Sequence, residues 1–189
     1  MTRAEQRSVT IPIPGSLLAL EGIYVPGRGG APGGAVIAPP HPLYGGSMHS
    51  PVVDEVAYAC RAAGLATLAF NWRGVGASAG EVSGESADAD DDYAAALEHL
   101  QETVPGPLIA AGYSFGSAAA VRTAQRHPRV RRLVLVAPPP ALVDTALLHA
   151  FGGPALLITG TEDAFAPHAD LAAWTENDPD LQQIGRAHV

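Results

Sequence analysis

The feature that most constrains this chain is a series of short apolar runs, each followed by a stretch with helical character. The runs are nearly continuous, as those of fully buried parallel strands are. They lie at residues 35–38, 66–70, 107–111, 133–137 and 155–159. Candidate helices lie at residues 51–63, 86–102, 115–126, 141–150 and 167–176. This order predicts an α/β fold, in which helices cover both faces of a mostly parallel sheet.

The two ends of the chain depart from this order. Residues 9–25 contain two apolar stretches interrupted by proline, which is typical of an edge hairpin. Residues 181–184 are too short and polar for a buried last strand, so we expect the last strand and its closing helix to be missing. Residues 184–189 match the translation of a common sequencing adapter. We therefore predict a single domain over residues 1–183, followed by a non-native tail at 184–189.

Composition excludes several functional classes. The 189 residues are 47% hydrophobic and 16% charged, which provides enough apolar material for a buried core. The formal charge of −8 repels phosphate backbones, so we expect no nucleic-acid partner. The single cysteine, Cys60, cannot build a disulfide framework, and we assign it to helix packing. The polar N-terminus and the absence of long apolar stretches predict a cytoplasmic protein without a membrane span.

The strongest chemical signal is the pattern G-x-S-x-G at residues 112–116, with Ser114 at its centre. It directly follows an apolar run and opens a helix of small residues, which is the strand, turn and helix that a nucleophilic serine requires. The flanking glycines let the backbone turn tightly, and the N-terminus of the helix stabilises negative charge that develops nearby. The alternative is that Ser114 only caps the helix in a glycine-rich turn.

Together with two further segments, this motif resembles the α/β-hydrolase superfamily, in particular its small, lidless esterase-like and dienelactone-hydrolase-like members. Residues 38–48, APPHPLYGGSM, resemble the oxyanion loop of that family, and residues 70–78, FNWRGVGAS, resemble the segment after its next strand. The resemblance implies a serine hydrolase that acts on a small ester, thioester or amide, without a cofactor. Only residues 138–153 stand where larger relatives insert a lid, which predicts an open site.

An acyl-transfer site needs backbone N–H groups that face the developing oxyanion. Phe115, directly after the serine, supplies one by its position in the turn. For the second donor we predict Leu43, with Tyr44 behind it, because Pro42 carries no N–H. The resemblance implies that the neighbouring His41 shapes this loop and does not act as a base.

The acid and the base of a Ser-Asp-His arrangement should follow the serine in the chain. Asp163 comes after the run at 155–159 and matches the acid of the family, with Glu162 as its substitute. Alternatively, Asp163 caps the turn or helix that follows it. His188 is the only histidine after His168, but it belongs to the tail that we assign to the adapter. We therefore expect the native base to be absent and this chain to be catalytically incomplete.

Other polar residues have structural interpretations. The segment after Arg73 lacks a full phosphate-binding pattern and predicts a turn, in which Arg73 holds a carbonyl or carboxylate. The acidic stretch 80–92 predicts a solvated loop that leads into a helix. The remaining histidines lack metal-ligand spacing, so no metal site is expected; they are His49, His99, His127, His149 and His168. If no histidine reaches the serine, the chain is instead a non-enzymatic domain that binds a ligand or a protein.

Overall fold

A single sheet runs through the computed structural model, which describes residues 5–28, 33–176 and 178–186. Its strands are β1 (Arg7–Pro12), β2 (Ala19–Val25), β3 (Gly34–Ala38), β4 (Ala66–Phe70), β5 (Leu108–Tyr113), β6 (Val130–Val136), β7 (Ala155–Gly160) and β8 (Leu181–Arg186). The helices are α1 (Pro51–Ala62), α2 (Ser86–Thr103), α3 (Phe115–Ala124), α4 (Thr145–Ala150) and α5 (His168–Thr175). A short 3₁₀ turn spans Pro42–Tyr44.

The strands lie in the order β1-β2-β4-β3-β5-β6-β7-β8. The hairpin of β1 and β2 is antiparallel, and β2 is also antiparallel to β4. All pairs from β4 to β8 across the sheet are parallel. The predicted α/β fold and the predicted edge hairpin are therefore confirmed.

The apolar runs are continuous because the central strands are covered on both faces. Every residue of β3 and β4 is buried. Along β3, Ala35 and Ile37 belong to the core on the α1 side, whereas Val36 and Ala38 belong to the core that contains α2 and α3. Cys60 lies in the α1 core, and burial raises the pKa of its thiol, as expected of a packing residue.

The last strand differs from the sequence prediction. We expected no strand at 181–184, but Leu181–Arg186 pairs in parallel with β7, so that expectation is wrong. The physical reason is position, because β8 lies at the end of the sheet and needs only one paired neighbour. Leu181 is buried against the core, whereas Ile184 stays 41% exposed. A polar sequence is compatible with such an edge strand.

Within residues 5–28, 33–176 and 178–186, no helix is both long enough and apolar enough to cross a bilayer.

Candidate active site

The candidate site lies at the edge of the sheet where the parallel strands end. Register pairs Ala38 at the end of β3 with Gly112 of β5, and Tyr113 of β5 with Val136 of β6. Val136 in turn pairs with Ile158 near the end of β7. The loops that follow β3, β5 and β7 therefore emerge at one edge, which is where ligands bind in open α/β sheets.

Ser114 forms the sharp turn between β5 and α3. Its backbone has φ 52° and ψ −117°, a left-handed conformation that an L-residue other than glycine rarely adopts. Its N–H donates to the carbonyl oxygen of Val136 at 2.8 Å, which fixes the turn to the neighbouring strand. The residue occupies the cap position of α3, yet its side chain makes no capping hydrogen bond. The half-buried hydroxyl is thus not used by the helix terminus beside it.

The two glycines of the motif allow backbones to approach closely. A Cβ on Gly112 would lie 2.2 Å from the carbonyl carbon of Gly116. A Cβ on Gly116 would lie 2.6 Å from the carbonyl oxygen of Pro39. Because real Cβ atoms do not approach backbone this closely, both positions require glycine, and α3 is packed directly on the ends of β3 and β5.

Ser117 supports this turn, although the sequence analysis assigned it no role. Its buried hydroxyl donates to the carbonyl oxygen of Gly112 at 2.8 Å and approaches that of Val136 at 3.2 Å. Val136 thus accepts from both Ser114 and Ser117, which ties the ends of β5 and β6 to the start of α3. The available signal was a hydroxyl in the first turn of an otherwise small and apolar helix.

Both backbone donors predicted on the loop after β3 are engaged in this structure. His41 caps the 3₁₀ turn, and its Nδ1 accepts the Leu43 N–H at 3.2 Å. The Tyr44 N–H donates to the His41 carbonyl oxygen at 3.1 Å. The His41 side chain is therefore bonded within its own loop, and Leu43 can donate to another acceptor only by exchanging its present one.

Phe115 carries the other predicted donor, and aromatic packing fixes it. It is the first residue of α3, where a backbone N–H has no acceptor within the helix. Its buried ring packs against those of His41, at a centroid distance of 4.5 Å, and Trp72, at 5.6 Å. The Trp72 indole donates to the carbonyl oxygens of Pro39 and Pro40 at 3.2 and 3.0 Å. Trp72 therefore anchors the start of the loop, a role that the sequence analysis missed.

Asp163 lies in the turn after β7, and one of its oxygens stabilises that turn. Its Oδ1 accepts the backbone N–H groups of Phe165 and Ala166, both at 2.9 Å. Helix α5 begins beyond, with Pro167 as its cap and no side-chain capping bond, so Asp163 caps the turn and not the helix. Strand β7, which this turn follows, lies two strand spacings, roughly 10 Å, from β5. Glu162 is exposed.

The predicted histidine, His188, lies outside the described residues. His168 lies at the start of α5, exposed, with its ring against β8. A Cβ on Gly185 would lie 2.6 Å from the His168 Cδ2. The His168 ring therefore lies close to the backbone at the end of β8.

Arg73 is engaged by carboxylates. Its Nε and Nη2 donate to the Asp92 Oδ1 at 3.0 and 2.8 Å, and its Nη1 donates to Asp88. Burial raises the pKa of Asp92, against the opposing effect of the Arg73 hydrogen bonds. The fork predicted for Arg73 is therefore confirmed. Residues 80–85 are mostly exposed and lead into α2, which has Asp88 in its first turn, as predicted. Further along the helix, Asp92 is buried and Asp90 pairs with Arg122.

The chain is similar in sequence to a protein family and to a curated protein. Residues 43–150 match the family described as serine aminopeptidase, S33. An uncharacterized protein of Rickettsia prowazekii (strain Madrid E) is 30% identical over 145 residues, which cover 72% of this chain and 59% of that protein. The chain therefore spans less than two thirds of the length of this curated relative.

Solved structures extend the likeness over nearly the whole chain. An alpha-beta serine hydrolase homologue from Coxiella burnetii has a TM-score of 0.86 and 27% identity, covering 97% of this chain and 88% of its own. A serine hydrolase without lid from Xanthomonas campestris has a TM-score of 0.82 and 27% identity, with coverages of 100% and 87%. A putative alpha/beta hydrolase from Agrobacterium tumefaciens has a TM-score of 0.81 and 30% identity, with coverages of 96% and 84%. The chain belongs to the α/β-hydrolase superfamily, and within it to the family described as serine aminopeptidase, S33.

Proposed function

We propose that this chain is a serine hydrolase that cleaves small carboxylic esters, with thioesters and amides as chemically related substrates. The observation that carries the proposal is the backbone of Ser114, held at φ 52° and ψ −117° at the carboxyl edge of the sheet. A serine that only caps a helix takes an extended backbone and bonds its side chain to the first turn, whereas Ser114 does neither. Strain of this kind persists where surrounding contacts enforce it, and it clusters at active sites.

In the proposed reaction the Ser114 Oγ attacks the ester carbonyl carbon while a base takes the hydroxyl proton. The carbonyl oxygen becomes an oxyanion, which the N–H groups of Phe115 and Leu43 stabilise together with the positive end of α3. The intermediate then expels the alcohol, which receives the proton. Water attacks the acyl-enzyme in the same way, and the free acid leaves.

Asp163 has one carboxylate oxygen available for the base. Its Oδ1 is held by two backbone donors, so its Oδ2 is the oxygen that would accept the N–H of an imidazole and fix the tautomer. For the base itself, His188 follows β8 by two residues in the sequence. Because β8 forms and pairs with β7, the expected lack of a last strand no longer counts against His188.

An open site favours substrates with a small or accessible acyl group. Between β6 and β7 the described chain forms only the six-residue helix α4. Leu43, Tyr44 and Phe165 are 59%, 87% and 84% exposed on the loops at this edge. At this edge, the described residues include no long segment that could cover a lipid tail. This supports a preference for short esters.

Hydrolysis of p-nitrophenyl acetate, butyrate and octanoate tests the proposal. We expect the acetate and butyrate esters to react about tenfold faster than the octanoate, and the Ser114→Ala chain to release p-nitrophenol at the rate of buffer alone. If His188 is the base, His188→Ala lowers the rate by about 10³-fold or more. Equal rates for the unaltered chain and Ser114→Ala would contradict the proposal and leave a binding domain as the conclusion.

A further inference from the structure

The side chain of His41 occupies a backbone donor that the proposed reaction needs. Its Nδ1 accepts the Leu43 N–H at 3.2 Å. Because an N–H donates only to an unprotonated ring nitrogen, the neutral imidazole in this arrangement carries its proton on Nε2. The Leu43 N–H, which we assign to the substrate oxygen, therefore already donates to a ring nitrogen in the free protein.

The turn does not depend on this side-chain bond for its shape. Three main-chain hydrogen bonds already close it: Tyr44 N–H to the His41 carbonyl oxygen at 3.1 Å, Gly45 N–H to that of Pro42 at 3.2 Å, and Gly46 N–H to that of His41 at 3.0 Å. The ring of Pro42 also fixes φ at the first position of the turn. The imidazole thus adds an acceptor for the Leu43 N–H to a backbone that is already determined.

Packing holds the imidazole at this place. Its ring lies 4.5 Å from that of Phe115 and 4.8 Å from that of Tyr44, measured between centroids. On a further side, a Cβ on Gly84 would lie 2.8 Å from the His41 Cε1, so the backbone there approaches the ring closely. Phe115 is also the residue that carries the other oxyanion donor, and the imidazole therefore contacts both donor residues.

We propose that His41 is a positioning residue that holds the Leu43 N–H in the free protein and yields it to the carbonyl oxygen of a bound ester. This inference rests on the proposed function, because it assigns the exchange to the same reaction. An oxyanion is a stronger acceptor than a neutral imidazole, so the exchange is driven as negative charge develops on the substrate. The imidazole competes for the donor, and removing its nitrogen acceptor should speed acylation.

The proposed bond also depends on pH. It exists while the imidazole is neutral and is lost as the pH falls through the pKa of His41, because imidazolium nitrogens only donate. Burial lowers the pKa of His41 below its usual value, which places this loss on the acid side. The groups in contact with the ring are the Tyr44 phenol, the Phe115 ring and the Gly84 backbone. The carboxylates on the same segment as Gly84 are those of Glu81 and Glu85.

Two substitutions of His41 separate the effect of its nitrogen acceptor from the effect of its ring packing. His41→Phe keeps an aromatic ring against Phe115 and removes the acceptor, whereas His41→Asn keeps an acceptor that is favoured at helix caps and does not titrate. The measurements on the full chain are amide hydrogen exchange at Leu43 by NMR and the rate at which a fluorophosphonate labels Ser114. In that labelling the Oγ–P bond forms, the P–F bond breaks, and the hydroxyl proton leaves with the base.

We expect His41→Phe to exchange the Leu43 amide about three- to tenfold faster, with labelling faster by a similar factor, as loss of one ordinary hydrogen bond predicts. His41→Asn should retain the protection and lose its pH dependence. Unchanged exchange at Leu43 in His41→Phe, or labelling that slows in His41→Phe and recovers in His41→Asn, would overturn the inference alone. No Ser114 adduct in any variant would overturn the proposed function, and the inference with it.

Discussion

The carboxyl edge of the sheet has two halves that are built differently. The half around Ser114 lies at the centre of the sheet, where close backbone contacts at Gly112 and Gly116 and the buried Ser117 hydroxyl determine one conformation. The half around Asp163 lies two strands away, beside the edge strand β8 and the exposed ring of Phe165. Substitutions at the close contacts of the first half should therefore act on the fold, and substitution of Asp163 in the second half should act mainly on the chemistry.

The largest effect on stability is expected from Gly116→Ala. The added Cβ would lie 2.6 and 2.7 Å from the carbonyl oxygens of Pro39 and Ala38, and backbone cannot move aside without loss of packing. We expect the free energy of unfolding in urea to fall by about 3 kcal/mol or more. The control is Gly64→Ala, where nothing lies within 4 Å of the added Cβ and only the positive φ of +89° opposes the substitution, with an expected loss of about 1 kcal/mol. Equal losses at the two sites would show that the close approach of α3 to β3 is not a stabilising constraint.

Ser117→Ala should have the second-largest effect on the free energy of unfolding. The substitution leaves the carbonyl oxygens of Gly112 and Val136 without the buried hydroxyl that donates to them. Urea unfolding should show a loss of about 1–2 kcal/mol. Ser16→Ala, whose hydroxyl bonds at a part-buried surface turn, is the control and should cost less. A smaller loss at Ser117 than at Ser16 would contradict the role assigned to the Ser117 hydroxyl.

Ser114→Gly should raise stability while it removes the nucleophile. Glycine adopts a positive φ without the steric cost that serine has at 52°, so the free energy of unfolding should rise by about 1 kcal/mol. Ser114→Ala keeps the steric cost and should lie within about 0.5 kcal/mol of the unaltered chain. The idea of a strained turn is wrong if the two variants have the same urea midpoint.

The smallest effect on stability belongs to the Asp163 half. Asp163→Ala removes the acceptor for the Phe165 and Ala166 N–H groups and should cost about 1 kcal/mol or less. Asp163→Asn keeps an oxygen for these donors and should leave stability within about 0.5 kcal/mol of the unaltered chain.

The variants Asp163→Ala and Asp163→Asn also separate the structural role of Asp163 from its role in the proposed reaction. Loss of the carboxylate charge should slow labelling of Ser114 by a fluorophosphonate about 10³-fold in both variants. Normal labelling of Asp163→Asn would mean that Asp163 only stabilises its turn.

The contrast also explains what the sequence could predict. The central strands are continuous apolar runs because they are covered on both faces, so β3, β4 and the turn at Ser114 could be placed from the pattern alone. An edge strand has no such signature, and for this reason β8 was missed. The engagement of the Leu43 N–H by His41 depends on a side-chain rotamer and on the packing of Phe115, which residue spacing does not encode.

The most direct test of the account is the intact mass of the full chain after reaction with a fluorophosphonate, compared with Ser114→Ala and His188→Ala. We predict one adduct per chain, lost in Ser114→Ala, because a fluorophosphonate reacts with an activated serine whatever its natural substrate. Loss in His188→Ala as well would identify the base, and its persistence there would place the base elsewhere. A folded chain with no adduct, or an adduct that persists in Ser114→Ala, would contradict the assignment of Ser114 as the nucleophile.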